Sequence, residues 1–127
     1  MIALDTSFLI DYLDGADAAG EFLEGNQNRP FFAPTLALFE VYRGTVQSDQ
    51  GGHLERVVSG LDWVEPLPLT ESAASEAAAI EAELLDTGNP INLGDILIAG
   101  VCRDVDAKLV SRDDHFARIA EVEVLNY

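Results

Sequence analysis

Residues 1–13 read MIALDTSFLIDYL. A short apolar run, Ile2-Ala3-Leu4, ends on a carboxylate, Asp5, then come two hydroxyls, Thr6 and Ser7, and a second apolar run opens at Phe8. The first run predicts a buried strand over 2–5 and the second a helix over 8–13. A strand that leads directly into a helix is how an α/β fold begins. Here that strand delivers an acid to its own carboxyl end, which matters only if other acids arrive at the same place.

The alternation of strand and helix continues along the chain. A helix is expected over 16–23 after a break near Gly15, a turn over 25–30, and a strand over 31–33. Pro34 fits the first turn of a helix reaching about Tyr42, because proline has no N–H to lose there. Residues 48–52, Ser-Asp-Gln-Gly-Gly, read as a mobile loop. A helix over 53–59 and a strand near Trp63-Val64 follow, with Pro66 and Pro68 closing the strand. An alanine- and glutamate-rich helix reaches Leu85 and stops at Gly88-Asn89-Pro90. Residues 96–102 are apolar on every side, the mark of a buried helix. A strand over 108–111, a short helix over 115–120 and a last strand over 122–124 complete the pattern. No internal repeat or linker interrupts it. The expectation is one domain, 1–127, with a central parallel sheet covered by helices on both faces, a three-layer α/β/α arrangement. In such folds ligands bind beyond the carboxyl ends of the strands.

Hydrophobic residues make up 48% of the chain and charged residues 24%, a globular composition. No run approaches the roughly 18 to 20 apolar residues of a membrane helix, and the first residues carry no basic leader or cleavage site. Cys102 is alone in an apolar segment, so it makes no intrachain disulfide and reads as a small core hydrophobe. These features predict a cytoplasmic protein without a membrane partner. The charge is unusual: 23 acids face seven bases for a formal −16. Self-repulsion of that size weakens a compact state in dilute buffer, and at about 1 M salt a Debye length of roughly 3 Å removes most of the penalty. A halophilic origin is therefore expected. Acidity also argues against a nucleic-acid ligand, an objection that any such proposal has to meet.

Four acids merit a closer look. Asp113 repeats the placement of Asp5, emerging just after a strand. Glu40 lies mid-helix among apolar neighbours, on a stripe expected to be at least half buried. Asp95 falls in the first turn of the buried helix. Each has an ordinary structural reason: Asp5 as a turn residue, Asp113 as a helix cap, Asp95 as a first-turn acid behind the cap Asn92, and Glu40 as a partner for Arg43. Those reasons do not account for four acids on successive βα units of one sheet. Gathered at one edge, like charges at about 4 Å cost about 4 kcal/mol at an effective dielectric of roughly 20. Raised pKa values or a bound cation would relieve that, and an all-oxygen donor set suits Mg²⁺ or Mn²⁺. Thr6, Ser7 and Ser111 are candidates to orient the carboxylates. His53 and His115 have no metal-ligand spacing and read as surface residues, and Asp11 and Asp14 as a solvated helix face.

Taken together, "ALDTSFLIDYL", "PTLALFEVYRG", "GDILIAGVC" and "LVSRDDHFARI" resemble the PIN-domain ribonucleases, in particular the small VapC type, the toxin half of toxin–antitoxin pairs. The resemblance spans essentially the whole chain, with the four motifs in order. It implies a metal-dependent endoribonuclease whose catalytic acids are Asp5, Glu40, Asp95 and Asp113, with Asp5, Asp95 and Asp113 on the metal. Ser7 and Ser111 match small polar positions near the metal, and Arg43 and Arg112 are candidate phosphate contacts. Asp114 competes with Asp113 for the site, and spacing from the strand favours Asp113. The resemblance further implies an antitoxin partner and a homodimer, for which apolar residues around Phe22-Leu23 and Phe39-Tyr42 are candidate contacts.

Three other readings compete with it. A receiver-type signalling domain would want paired acids after the first strand and a lysine after a late one, yet Asp5 is single and Lys108 opens its strand. A PIN-like module that binds without cutting would not need all four acids. An aspartate-nucleophile phosphatase would want an acid where Ser7 stands.

Overall fold

The computed structural model describes residues 1–48 and 53–127, so most of the loop expected over 48–52 lies outside the described residues. Among the described residues five strands form one parallel sheet: β1 (Ile2–Leu4), β2 (Phe31–Pro34), β3 (Glu65–Leu67), β4 (Lys108–Val110) and β5 (Val124–Leu125), in the order β3-β2-β1-β4-β5. The helices among the described residues flank it: α1 (Thr6–Leu13), α2 (Asp17–Glu24), α3 (Thr35–Gln47), α4 (Leu54–Gly60), α5 (Glu71–Asp86) and α6 (Leu93–Val105), with a 3-10 turn over Asp114–Arg118. The expected three-layer α/β/α class holds. β1 sits at the centre and all three of its residues are buried, as a strand covered on both faces requires.

The strand order fixes where a site can form. From β1 the chain builds outward through β2 and β3, then returns across the sheet to lay β4 on the other side of β1. The crevice beyond the carboxyl ends of β1 and β4 is thus the point where the order reverses. Asp5 and Ser111 are the residues that follow those two strands, and the Asp5 N–H donates to the Val110 carbonyl (3.2 Å).

Two prolines lie elsewhere than expected. Pro34 is not in the first turn of α3; it ends β2, in register with Leu67, and caps the helix, which runs past Tyr42 to Gln47. Pro66 does not close a strand at 63–64 but lies inside β3, opposite Ala33. β3 is an edge strand, where a missing N–H is tolerated. Trp63 instead donates its indole N–H to the Gly60 carbonyl (2.9 Å) and packs edge-on against Tyr12 and Phe31. Phe22 packs against Phe8 and Phe31, while Phe39 faces outward.

α5 and α6 pack closely because small residues meet there. A Cβ built on Gly100 would lie 2.7 Å from the Ala77 Cβ and 2.8 Å from the Ala73 carbonyl oxygen. Beside this contact the nearly buried Arg103 side chain reaches Glu76 (2.7 Å) and Glu83 (2.9 Å), tying the two helices together. Cys102 is buried as expected; burial, and then the charge of Asp5, push its thiol up to about 12. Among the described residues no helix is long and apolar enough to cross a membrane.

Candidate active site at the carboxyl edge of the sheet

Asp5 is the most constrained of the four acids. It is 2% exposed, and it caps α1 by accepting from the Phe8 N–H (2.9 Å). Ser7 donates its hydroxyl to the same Oδ1 (2.7 Å), and Ser111 donates across the crevice to Oδ2 (2.5 Å). A capping aspartate needs only the first of these bonds. Burial raises its pKa most; the Ser111, Phe8 and Ser7 bonds oppose that, and the charge of Asp113 adds to it. Ser7 and Ser111 are themselves buried, so they hold the carboxylate and present no free face to a substrate.

Asp95 stands in the first turn of α6. Asn92 caps that helix from its side-chain oxygen and also donates to Asp95 Oδ2 (2.8 Å). The His115 Nε2 lies 2.7 Å from the same oxygen, at ion-pair distance but without an aligned hydrogen bond. His115 is therefore a site residue, contrary to the surface placement expected for it. The contact joins residues twenty apart in sequence, and no local spacing announces it. Burial is the main cause of the raised Asp95 pKa; His115 and Asn92 pull it down, and Asp113 pushes it up.

Asp113 bears on both of these carboxyls, which puts it at the same edge. Its backbone N–H is held by the Ser111 hydroxyl (3.0 Å), while its half-buried carboxylate accepts no protein donor among the described residues. Asp114, the competing acid, is exposed and opens the 3-10 turn. Glu40 is half buried, as the sequence pattern expects, but its partner is Thr6, whose hydroxyl donates to Oε1 (2.7 Å), and not Arg43. A Cβ on Gly94 would come within 2.8 Å of Glu40 Oε2, so the glycine at the start of α6 makes room for the glutamate of α3.

The proposed phosphate contacts lie farther out. Arg43 is exposed, and Arg112 pairs with Asp11 (3.2 Å). Asp11 also accepts from the Tyr127 hydroxyl (2.6 Å), so it is a networked residue and not part of a solvated face; Asp14 is exposed as expected.

The edge thus gathers carboxylate oxygens from four elements and offers them hydroxyls, an amide and an imidazole. Asp95 Oδ1 and the Asp113 carboxylate have no protein donor among the described residues. By donor chemistry and charge this set fits a hard divalent ion. As the side chains stand, no three His, Cys, Asp or Glu residues among those described converge as a ready-made ligand group.

A model of the PIN domain matches residues 2–122. The chain belongs to the PIN-domain family. No curated protein matches its sequence. Its fold is that of VapBC2 from Rickettsia felis, solved bound to a promoter DNA fragment (22% identity, all of this chain and 99% of that one, TM-score 0.92). The DNA-bound VapBC of Salmonella typhimurium is similar to it (24% identity, 99% and 98% covered, TM-score 0.88). So is VapC20 of Mycobacterium tuberculosis, a toxin that cleaves the sarcin–ricin loop (17% identity, 96% and 98% covered, TM-score 0.70).

Proposed function

We propose that this PIN-domain chain is a divalent-metal-dependent endoribonuclease of the VapC type, acting as the toxin of a toxin–antitoxin pair. The observation that carries the reading is the gathering of Asp5, Glu40, Asp95 and Asp113 at the switch point of the sheet, where no arginine or lysine among the described residues pairs with them. The RNA-cleaving relative and the VapBC complexes of the same fold support the substrate class and an antitoxin partner. A homodimer rests on the family resemblance alone.

In this reading Asp5, Asp95 and Asp113 hold Mg²⁺ or Mn²⁺, and when bound the ion neutralises charge on the phosphate and lowers the pKa of an attacking water. The protein's own residues do the positioning. Ser7, Ser111 and the Phe8 N–H fix Asp5, Asn92 and His115 fix one oxygen of Asp95, and Thr6 turns Glu40 toward the start of α6. Glu40 or Asp113 takes the water's proton as the water attacks phosphorus in line and the P–O bond to the leaving nucleotide breaks. The cation meets the acidity objection by bridging protein and phosphate. The −16 charge further implies a halophilic protein that is most stable near molar salt, and the lone buried cysteine suits a cytoplasmic one.

The test is cleavage of a mixed RNA pool in high salt with Mn²⁺, beside Asp95→Asn and a chelator control. Cleavage by the wild type alone, stopped by chelator, is expected. A wild type that binds Mn²⁺ but cuts nothing would favour the non-cutting PIN-like module.

A further inference from the structure

Beside the acid cluster lies a groove of about 420 Å³ between α1, α3 and α4, within the size range of small-molecule sites, roughly 300–1,000 Å³. Its apolar side is Ile10, Leu13, Val41 and Val57. Glu40, one of the four acids, forms part of its wall, so whatever lies in the groove abuts the site. Arg56 and His53 line it as well, together with a second acid, Asp14.

The basic residues sharpen the point. Of seven, Arg103, Lys108 and Arg112 are already paired with carboxylates of the protein. Arg56 has no ion pair among the described residues, and it lines a groove that reaches Glu40. In a chain of −16, such a cation at the rim of an acidic site is where an anionic ligand gains most.

We infer that this groove seats one unpaired nucleotide of the RNA strand next to the scissile phosphate, an inference that rests on the ribonuclease reading above. The base packs on the aliphatic side, as splayed single-stranded bases do on apolar side chains. The guanidinium of Arg56 takes the nucleotide's phosphate in its planar fork, and His53 adds a donor. The next phosphate along the strand then falls at Glu40 and the other acids. Strand selection thereby passes to α4, an element that carries none of the four acids.

The experiment is steady-state cleavage of a short single-stranded RNA with Mn²⁺, comparing wild type, Arg56→Ala, Arg56→Lys and Arg29→Ala. Arg29 precedes β2 and so lies at the opposite edge of the sheet, and its loss changes net charge equally. Arg56→Ala should raise KM about ten-fold with kcat within about two-fold, and should lower the slope of log KM against log salt by about one. Arg56→Lys should recover part of the loss, and Arg29→Ala should match the wild type. A KM unmoved by Arg56→Ala in an enzyme that cuts, or an equal rise in Arg29→Ala, overturns the groove assignment and leaves the ribonuclease standing. A wild type that cuts no RNA removes both.

Discussion

Two clusters of acids in this molecule have opposite surroundings. On the outer face, Glu76 and Glu83 of α5 share the guanidinium of Arg103, so their charge is met from within the fold. At the carboxyl edge, Asp5, Asp95, Asp113 and Glu40 receive hydroxyls, an amide and an imidazole, but no arginine or lysine among the described residues. The fold meets the first group of carboxylates with a cation of its own, and among the described residues it does not do so for the second. In the proposed reading the second group is completed by a divalent ion, which is what would separate a structural cluster from a chemical one.

Substitutions at the two clusters should therefore fail in different ways. The largest effect is expected from Asp5→Asn, which keeps a capping side chain but removes a charge: cleavage should fall by at least about 100-fold, a loss of several kcal/mol in transition-state stabilisation, while the fold persists. Glu76→Gln, measured in the same assay, should cut at the wild-type rate. Equal losses in both would erase the distinction.

Arg103→Met tests the other cluster. It strands two carboxylates around a nearly buried position and should cost about 2 kcal/mol, less than a fully buried pair because both glutamates reach water. Urea denaturation reads it directly, and an unchanged midpoint would mean that the clamp contributes nothing.

A matched pair of glycines gives a finer test. Gly100→Ala drives a methyl into the Ala77 Cβ and the Ala73 carbonyl, neither of which can swing away, and should cost about 1–3 kcal/mol. Gly94→Ala clashes with the end of the flexible Glu40 side chain and merely touches the Asn92 side-chain oxygen (3.5 Å), so stability should hold while cleavage drops as Glu40 is displaced. The reverse pattern would mean that Glu40 is not part of the chemistry.

The smallest effect concerns pH. Asp5 and Asp95 have carboxyl pKa values raised above the ordinary 3.8, chiefly by burial. The folded state then binds more protons than the unfolded state from that value up to the raised ones, so stability falls as pH climbs through the window. In chelator, the wild type should lose stability from about pH 4 upward faster than Asp5→Asn does. Parallel curves would mean that burial of the Asp5 carboxyl is not what makes stability fall with pH.

Much of this was readable from residue order. The apolar run before Asp5 and the all-round apolarity of 96–102 could hardly be anything but a central strand and a buried helix, and the order of the four acids followed from them. Pro66 misled because proline's meaning depends on whether its strand lies at an edge, which is a property of the finished sheet. His115 and the tie of Asp11 to Tyr127 were hidden for a related reason. Their partners lie 20 and 116 positions away, brought close only by the crossing of the chain over β1. Gly94 looked like any residue of a helix start until Glu40 was seen beside it.

One feature of the interior also makes the molecule easy to watch. Cys102 is the single thiol of the chain, sealed in α6 within reach of Asp5's charge and kept protonated well above neutral pH. A thiol reagent can reach it only when the packing around that helix comes apart, so its labelling half-life is a clock for opening of the core. Run with and without divalent ion, that clock reports whether filling the edge of the sheet tightens the layer behind it.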